Sequence, residues 1–281
     1  MNKSYSVISF AANKGGVGKT RNAILIANCL GAAGKRVLLI DTDYNNSATT
    51  YYLPKDELIN GGLNIEEIIE EKNLFEAMAN EKNGSLLENI FHTKHRGVDV
   101  IPATRSLANI RAISENRLSC LMPELEGHYD FVIIDCQPEY NNIVINSLKV
   151  SDAIITPVIQ DLDSFNAAVF FEKKLQTDMD KLGAWFLTIN GYNKNFDDAK
   201  SGTQREYIKS YLSRFSNFTP KEAWFPWTPV INKIKDREMP LSYKPVEGMN
   251  VAVHPALYNA VCSLAELLLA DGDEFIKPEV F

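Results

Sequence analysis

The feature that most constrains this chain is a glycine-rich turn between an apolar run and a helix-like segment, close to the N-terminus. The stretch reads "SVISFAANKGGVGKT" from Ser6 to Thr20, and the apolar run "RNAILIANCL" follows it. Glycine adopts backbone angles that are closed to other residues, so Gly15, Gly16 and Gly18 let successive N–H groups point inward. A strand, a turn and a helix in this order predict a parallel sheet with helices packed on its faces.

The rest of the chain repeats this alternation of apolar runs and helix-period segments. Further strand candidates are "RVLLID", "VDVIPA", "DFVIID", "AIITPV", "AWFLTIN" and "AWFPW". Their nearly continuous apolar character is typical of parallel strands buried on both faces. We therefore predict an α/β fold of three layers, with a mostly parallel twisted sheet and helices on both faces. In "KTRNAILIANCLGAAG" we expect Gly31 and Gly34 to end the first helix.

The chain of 281 residues has no linker or repeat that divides it, which predicts a single domain over residues 1–281. The stretch at about 53–97 is more polar and is predicted to be a helical insertion. Within it, "NIEEIIEEKN" places Ile65, Ile68 and Ile69 on one apolar stripe. An acidic C-terminal tail is predicted at about 271–281.

Composition and charge exclude several classes of protein. There is no apolar run of roughly 18 residues and no signal-peptide pattern, so we expect a cytoplasmic protein. The net charge of −7 excludes a globally basic nucleic-acid binder but not a local basic face. The last apolar helix lacks the Lys and Arg of a membrane-surface helix, so no membrane contact is predicted. The four cysteines form no C-x-x-C pair and are predicted to be buried, reduced thiols. They are Cys29, Cys120, Cys136 and Cys262.

The glycine-rich turn has the residues of a phosphate-binding loop. Lys19 is placed to reach the β- and γ-phosphates of a nucleotide, and the Thr20 hydroxyl to hold Mg²⁺. The usual pattern G-x-x-x-x-G-K-[ST] fails at Asn13, where its first glycine belongs. A second lysine, Lys14, stands five residues before Lys19, although a loop of this type needs only one. The residues alone leave Lys14 as either a surface residue or a part of the mechanism.

Four segments together resemble the ParA/MinD family of deviant Walker ATPases, whose loop reads K-G-G-x-G-K-[ST]. They are "KGGVGKT", "VLLIDTDYNNSAT", "YDFVIIDCQPEYNNIVINSLKVSDAIITPV" and "INKIKDREMP". The resemblance covers nearly the whole chain and is nearest to the ParA, or partition, branch. It implies the P-loop NTPase fold, ATP and Mg²⁺ as cofactors, and an ATPase that is slow without a partner.

The resemblance also implies roles for the two lysines. Lys14 would cross a dimer interface to the phosphates held by the other subunit, so that two subunits sandwich two ATP molecules. Physically, this supplies positive charge where phosphoryl transfer develops negative charge. The predicted nucleotide-binding residues are Lys14, Gly15, Gly16, Val17, Gly18, Lys19, Thr20, Arg21 and Asn190.

Carboxylates are expected at the carboxyl ends of the strands beside the loop. Asp135 ends "FVIID" and is the predicted Walker B residue, which binds Mg²⁺ together with Thr20. Asp41 and Asp43 follow "VLLID"; by resemblance Asp41 lies near the metal and Asp43 positions the attacking water. The predicted catalytic residues are therefore Lys14, Lys19 and Asp43. Strand-end capping is the alternative for Asp41 and Asp43, as is a strand-end role for Asn190 in place of an adenine contact.

Several positions depart from the family pattern. Tyr44, Asn45 and Ser47 replace the family's Pro, Gln and Asn in the first switch, and Gln137 replaces the first Pro of the second switch. Arg21 stands beside the expected α-phosphate, where a small hydroxyl residue is usual. These changes leave the phosphate chemistry intact but affect the switches, and hence the hydrolysis rate and its coupling to a partner.

The resemblance implies an ATP-dependent homodimer that binds DNA without sequence preference and segregates or positions plasmid or chromosomal DNA at the nucleoid. A ParB-like centromere-binding protein, or another stimulating partner, would release it by triggering hydrolysis. Two alternatives stay open: positioning of a protein assembly or service in conjugative DNA transfer, and a non-hydrolysing ATP-dependent scaffold. The candidate DNA-binding residues, for which solvated surface charge is the alternative, are Arg205, Lys209, Lys233, Lys235 and Arg237.

Overall fold

The computed structural model describes residues 3–54, 58–59, 63–80, 82–109, 113–179, 183–193, 203–237, 239–269 and 273–281. The described strands are β1 (Ser6–Phe10), β2 (Val37–Asp41), β3 (Leu58–Ile59), β4 (Leu63–Asn64), β5 (Phe91–His92), β6 (Val98–Ile101), β7 (Phe131–Asp135), β8 (Ala153–Val158), β9 (Ala184–Tyr192), β10 (Phe225–Pro226), β11 (Leu241–Ser242) and β12 (Ala252–Val253). The described helices are α1 (Lys19–Ala32), α2 (Ser47–Tyr52), α3 (Ile65–Glu71), α4 (Leu74–Ala79), α5 (Arg117–Leu121), α6 (Asn142–Val150), α7 (Leu162–Asp178), α8 (Thr203–Arg214), α9 (Val230–Arg237) and α10 (Pro255–Leu267).

One sheet of eight strands organises the molecule, in the order β10-β9-β8-β1-β7-β2-β6-β5. Every neighbouring pair in it is parallel except β5 and β6, which are antiparallel. All seven predicted strands lie in this sheet. The edge strand β5 was not predicted, because its two residues, Phe91 and His92, are too few to form a recognisable pattern.

Helices cover both faces of the sheet, as predicted. In β2, Leu39 faces the core that contains α1 and α10, whereas Leu38 and Ile40 face the core that contains α5 and α6. Successive strand residues point to opposite faces, and all five residues of β2 are buried. The continuous apolar run of β2 therefore reflects burial on both sides, which confirms the predicted α/β three-layer class.

The strand order decides where a site can form. β1 lies between β7 and β8, and β2 lies on the other side of β7. The register pairs Phe10 with Asp135 and Asp41 with Asp135, so the ends of β1, β7 and β2 are level. The loop that leaves β1 therefore emerges beside both aspartates, at the carboxyl edge where parallel sheets bind ligands.

The first helix ends at Ala32, one residue beyond Gly31. Gly31 lies inside α1, and a Cβ atom there would come within 2.3 Å of the Arg96 carbonyl oxygen. Its role is thus close packing of α1 against the loop before β6, and the prediction that Gly31 ends the helix is wrong. Gly34 does follow the helix in the left-handed conformation, with φ of +91°, while the Lys35 N–H donates to the Leu30 carbonyl oxygen over 3.1 Å. This is a Schellman motif.

The described parts of the polar segment at about 53–97 and of the acidic tail at about 271–281 pack on the rest of the domain. In the predicted insertion, Ile65 and Ile69 of α3 are buried, in line with the apolar stripe, and β5 adds to the main sheet. The predicted tail is described from residue 273 onward, and it returns to the body. Phe281 is 9% exposed and exchanges two backbone hydrogen bonds with Leu241.

Three of the four cysteines are buried, as predicted, but Cys120 is exposed on the short helix α5. Cys29 and Cys262 lie 233 residues apart in sequence, yet their Sγ atoms are 3.9 Å apart where α1 packs on α10. Within the described ranges, no helix combines the length and the apolar content needed to cross a bilayer.

Candidate functional site

The glycine-rich turn has the backbone geometry of an anion cradle. Gly16 and Gly18 have φ values of +76° and +97°, which L side chains rarely adopt. No heavy atom outside the neighbouring residues lies within 4 Å of the Cβ position of Gly15 or Gly16, so the turn is open on that side. Helix α1 begins directly afterwards at Lys19, and the positive end of its dipole adds to the attraction for an anion.

Lys19 is held inside this turn. Its side chain is buried, with the residue 6% exposed, and its Nζ donates to the Lys14 carbonyl oxygen over 3.1 Å. Burial lowers the pKa of Lys19, while the nearby Asp135 carboxylate opposes that shift. A partly desolvated ammonium beside a glycine-rich turn at a helix N-terminus is well suited to bind phosphate oxygens.

Asp135 is fully buried at the end of β7, and within the described part of the chain neither of its carboxylate oxygens accepts a hydrogen bond. Burial raises the pKa of Asp135 well above its usual range, and the Asp41 carboxylate raises it further. The Thr20 hydroxyl and the Lys19 ammonium lie near enough to oppose this rise. An unsatisfied buried carboxylate beside a hydroxyl fits Mg²⁺, which takes one or two protein oxygens and completes its shell with phosphate and water.

Asp41 has the same burial but different surroundings. Its Oδ2 accepts hydrogen bonds from the N–H and the hydroxyl of Thr49, at 2.9 and 2.8 Å, and its Oδ1 accepts one from the Asp43 N–H at 3.0 Å. Burial raises the pKa of Asp41 to about 6, and the three hydrogen bonds limit that rise. Asp41 therefore ties α2 to the end of β2, which matches the strand-end alternative. Its proximity to a metal stays a prediction.

Asp43 lies in the turn between β2 and α2. Its Oδ1 accepts two hydrogen bonds from Asn45, one from the backbone and one from the side chain, both at 2.9 Å. Asn46 follows with φ of +49°, a left-handed conformation that asparagine tolerates better than most residues. Asn45 replaces the family's Gln, so this departure from the pattern is the group that holds the Asp43 carboxylate.

Lys14, the additional lysine of the loop, makes an ion pair within its own chain. Lys14 Nζ lies 2.9 and 3.2 Å from the two carboxylate oxygens of Asp161. Asp161 precedes α7 as its N-cap, and Oδ1 also accepts the Ser164 N–H over 2.6 Å. Lys14 is thus not a freely solvated surface residue.

A cavity of about 410 Å³ opens beside the loop. The loop, the first turn of α1, the first switch and α9 line it. The residues that line it are Gly15, Gly16, Gly18, Lys19, Thr20, Arg21, Ile24, Leu25, Asp43, Asn45, Ser47, Tyr51, Pro138, Ile231 and Ile234. Most predicted nucleotide-binding residues therefore share one cavity, which has a polar phosphate end and an apolar wall.

Arg21 and Asn190 approach the loop from different sides. Arg21 Nη2 donates to Asn232 Oδ1 over 3.3 Å, which connects α1 to α9. Asn190, at the carboxyl end of β9, donates from Nδ2 to the Val17 carbonyl oxygen over 2.9 Å. A Cβ atom on Gly18 would lie 2.1 Å from that amide nitrogen, so Gly18 is required for the contact. Asn190 holds the loop backbone; its predicted adenine contact stays a prediction.

Of the candidate DNA-binding residues, Lys209 has a described side chain, and it does not line this cavity. Arg205 and Lys209 belong to α8, where Lys209 is exposed. Lys233, Lys235 and Arg237 belong to α9. The side chains of Arg205, Lys233, Lys235 and Arg237 lie outside the described part of the structure, so their role stays a prediction.

Two residues that position groups of the site, Thr49 and Asp161, were not predicted from the sequence. Thr49 falls within the matched segment "VLLIDTDYNNSAT", so the resemblance contained the signal. Asp161 follows the strand that contains Pro157 and precedes a helix in "PVIQDLDS", a position typical of an N-cap. That signal predicts the cap but not the ion pair with Lys14, since the two residues are 147 positions apart.

Comparison with known proteins agrees with this geometry. A family model described as an AAA domain matches residues 5–176. The chain is 29% identical over 253 residues to the sporulation initiation inhibitor protein Soj of Bacillus subtilis, covering 85% of this chain and 89% of Soj. It is 25% identical over 281 residues to the chromosome partitioning protein ParA of Caulobacter vibrioides, covering 97% of this chain and 94% of that ParA.

A solved structure shows the same fold. It is a Borrelia burgdorferi B31 protein described as a plasmid partition protein, bound to AMPPNP. The TM-score is 0.70 at 21% sequence identity, and the match covers 94% of this chain and 99% of that one. The agreement over nearly both full lengths extends beyond the segment matched by the family model.

Proposed function

Because the chain belongs to the ParA/MinD family of ATPases, in its ParA branch, we propose that it is an ATPase that dimerises on ATP and positions DNA. The observation that carries the proposal is the loop with two differently held lysines. Lys19 is buried and donates to the Lys14 carbonyl oxygen within the loop, whereas the Lys14 side chain reaches Asp161 at the start of α7. A loop that binds phosphate within one subunit needs only Lys19. We take residues 1–281 as one ATPase domain.

Lys19 and the backbone N–H groups from Gly15 to Thr20 hold the β- and γ-phosphates in this proposal. Thr20 and Asp135 hold Mg²⁺, which when bound neutralises charge on the phosphate oxygens. Asp43 orients the attacking water from the first switch. Arg21 lies beside the α-phosphate. Asn190 keeps the loop in place and itself lies near the adenine base.

Lys14 acts on the nucleotide of the second subunit. An ammonium brought to the transferring phosphoryl group stabilises the charge that develops there, as an arginine finger does in other phosphoryl-transfer enzymes. A single subunit lacks this group at its own nucleotide, so hydrolysis requires the dimer. Hydrolysis in this dimer is further proposed to be slow in the absence of a stimulating partner.

DNA binding is proposed for basic side chains that the dimer brings together. The net charge of −7 means that such a surface must be local. Lys209 is exposed on α8, and α9, which carries three basic residues, lines the nucleotide cavity through Ile231 and Ile234. An element that borders the nucleotide and also carries basic residues can make DNA affinity depend on ATP. The proposed location is the cytoplasm, at the nucleoid, with a ParB-like protein as the partner that stimulates hydrolysis.

One observation favours a second candidate, an ATP-dependent scaffold that does not hydrolyse. The carboxylate that should orient water, on Asp43, is held by two hydrogen bonds from Asn45. If those bonds persist with ATP bound, Oδ1 of Asp43 is occupied and the orientation of the carboxylate is fixed by Asn45 rather than by the attacking water. Asn45→Gln, which restores the family's residue, should then raise the rate of phosphate release. An unchanged rate would argue against this second candidate.

Retention of DNA by the Asp43→Ala protein tests the main proposal. The variant is applied to DNA of arbitrary sequence with ATP, with ADP and without nucleotide, at two salt concentrations. Anionic vesicles serve as a parallel surface. Lys19→Ala in the same background is the matched control, since it should lose the nucleotide.

We expect retention on DNA only with ATP, and release by salt as the phosphate contacts are screened. Retention without nucleotide, or by Lys19→Ala, would contradict the proposal. Retention on vesicles alone would indicate a membrane-positioning protein. Dimerisation with ATP but no retention on either surface would indicate a protein cargo or a scaffold.

A further inference from the structure

We propose that Cys29 and Cys262 form a reversible modification site, at which a hydroperoxide oxidises the two thiols to a disulfide that ties α1 to α10. The inference goes beyond the proposed function and does not depend on it, because the bond can form whether or not the chain hydrolyses ATP.

The two sulfurs face each other where α1 packs on α10. Their Sγ atoms are 3.9 Å apart, and one thiol donates a hydrogen bond to the other. Both residues are fully buried in the same core. A disulfide has about 2.0 Å between its sulfurs, so the two atoms must approach by a further 1.9 Å or about that distance. A cysteine sulfur moves farther than this when its side chain changes between staggered positions, so the gap lies within the range of side-chain motion.

The two thiols have different surroundings, which assign them different roles. The hydrogen bond from Cys29 lowers the pKa of Cys262. The Tyr258 hydroxyl and the Lys277 ammonium lower this pKa further, whereas burial and the Glu266 carboxylate oppose the shift. Burial and the hydrogen bond to Cys262 raise the pKa of Cys29. Because the thiolate is the reactive form of cysteine, Cys262 is the attacking sulfur and Cys29 the resolving one.

With hydrogen peroxide as the oxidant, the reaction has two steps. The Cys262 thiolate attacks one oxygen, the O–O bond breaks, and a sulfenic acid forms while the second oxygen leaves as hydroxide and takes up the proton that Cys262 had released. The Cys29 sulfur then attacks the Cys262 sulfur, so that the S–S bond forms, the S–O bond breaks, and hydroxide leaves as water with the proton of Cys29. In total, two thiols and one peroxide give one disulfide and two water molecules. A dithiol reductant reverses the change by exchange.

The last residues of the chain, 273–281, pass over the pair. Lys277 is exposed, yet its ammonium acts on both sulfurs. The Tyr258 hydroxyl, which adjoins Cys262, donates to the Pro278 carbonyl oxygen. The pair therefore lies beneath this C-terminal segment.

Most of the polar contacts that hold this segment are open to water. Asp273 pairs with Lys35 at 3.4 Å, and Glu279 pairs with Lys244 at 3.7 Å, both with solvent-accessible side chains. Exposed ion pairs of this kind contribute little to stability. Two backbone hydrogen bonds at Phe281 complete the attachment. Opening this segment costs less than unfolding the domain, so a small oxidant can reach the pair in the folded chain.

The bond joins the helix that leaves the phosphate loop to the last helix of the chain. α1 begins at Lys19, and Cys29 lies ten positions further along it. A disulfide between residues 233 positions apart strongly restricts the unfolded chain, because the restriction grows with the length of the closed loop. The oxidised protein should therefore resist thermal unfolding more than the reduced protein does.

The test is a peptide map of the Cys120→Ser protein after treatment with hydrogen peroxide. This substitution removes the exposed thiol and prevents disulfides between chains through it. Remaining thiols are blocked with N-ethylmaleimide in denaturant, and the protein is digested without reductant for mass spectrometry. Cys136 is the internal reference, since it is equally buried but has Ser9 and Ser147 beside its sulfur instead of a thiol.

We expect the peptides of Cys29 and Cys262 to be joined, with a mass lower by two hydrogen atoms than the sum of the reduced peptides. Dithiothreitol should separate them, and Cys136 should be blocked by N-ethylmaleimide throughout. The melting temperature should rise by about 5 °C or more on oxidation and fall again on reduction. Cys262→Ala and Cys262→Ser should both abolish the rise, which makes the result independent of how well either variant packs.

Reduced Cys29 and Cys262, at a peroxide concentration that oxidises Cys120 of the unmodified chain, would overturn the inference and leave the two as small packing residues. Sulfinic acid at Cys262 without a joined peptide would also overturn it, because Cys29 would then not resolve the sulfenic acid. A bond that forms only in denaturant would do the same, since the site would not belong to the folded chain. None of these results bears on nucleotide or DNA binding, so the proposed function would stand in each case.

Discussion

Asp41 and Asp135 are neighbours in the sheet and equivalent in sequence, yet their surroundings differ. Each follows four apolar residues, each is fully buried, and the register pairs them directly across β2 and β7. Asp41 accepts three hydrogen bonds, from Thr49 and Asp43. In the part of the chain that the structure describes, Asp135 accepts none and lies near Thr20 and Lys19.

The difference separates a structural carboxylate from one that is kept for a ligand. A buried charge that is satisfied by hydrogen bonds stabilises its surroundings, and Asp41 holds the switch helix α2 in this way. A buried charge without such partners is costly to the folded chain, and proteins retain it where a cation or a reaction compensates. Asp135 is the member of the pair that we propose as the Mg²⁺ ligand, and the following experiments sharpen or break this distinction.

The largest expected effect is that of Asp135→Asn on hydrolysis. If Asp135 binds Mg²⁺ as proposed, loss of its carboxylate should reduce ATP turnover by about 100-fold or more, which phosphate release measures. The same change removes a buried carboxyl group whose pKa is raised in the folded chain, so at pH 7 the nucleotide-free chain should be more stable, by about 1 kcal/mol or more in urea unfolding. Asp130→Asn, at the other end of β7 and paired with Arg36 on the surface, is the control and should change neither quantity greatly. A destabilised Asp135→Asn chain would contradict the comparison.

The second effect concerns the pH dependence of stability through Asp41. Its pKa is raised from 3.8 to about 6, so the folded chain binds this proton more tightly than the unfolded chain does. The resulting stabilisation is complete below a pH of about 4 and is lost as the pH rises through about 6. Relative to Asp41→Asn, the metal-free protein should therefore lose up to about 3 kcal/mol across this window. Urea unfolding of both chains in EDTA measures the difference, and a difference that grows with pH would have the wrong sign.

The smallest of the three effects is expected from Thr49→Val, which makes Asp41 resemble Asp135. The substitution keeps the shape but removes the hydroxyl that donates to Asp41 and accepts the Ala103 N–H over 2.8 Å. We expect a loss of about 1 to 3 kcal/mol in unfolding free energy and a further rise in the pKa of Asp41. The control is Thr50→Val, since Thr50 is exposed and its hydroxyl donates to Asn46 on the surface. Equal losses in the two variants would mean that Asp41 is not specially supported by Thr49.

The sequence predicted most of the fold because its strands are buried on both faces. A run such as "VLLID" is recognisable without any knowledge of its neighbours, and seven strands of the main sheet were located in this way. Gly31 shows where local patterns fail. Its identity suggested a helix end, but the cause is the close approach of the Arg96 carbonyl from a distant loop.

The candidate site shows the same contrast between local sequence patterns and contacts from distant residues. The loop from Gly15 to Thr20 and the position of Asp135 follow from short, contiguous motifs, because successive N–H groups and a strand-end carboxylate are local features of the chain. Asp41 has hydrogen-bond partners because Thr49 lies beside it. The Lys14 side chain has its observed position because of Asp161, which is 147 residues away in the sequence. The sequence by itself thus determined the strands, the phosphate loop and the types of residue beside it. Only the tertiary structure decided their partners, because burial and hydrogen bonding between distant residues depend on packing that no local pattern encodes.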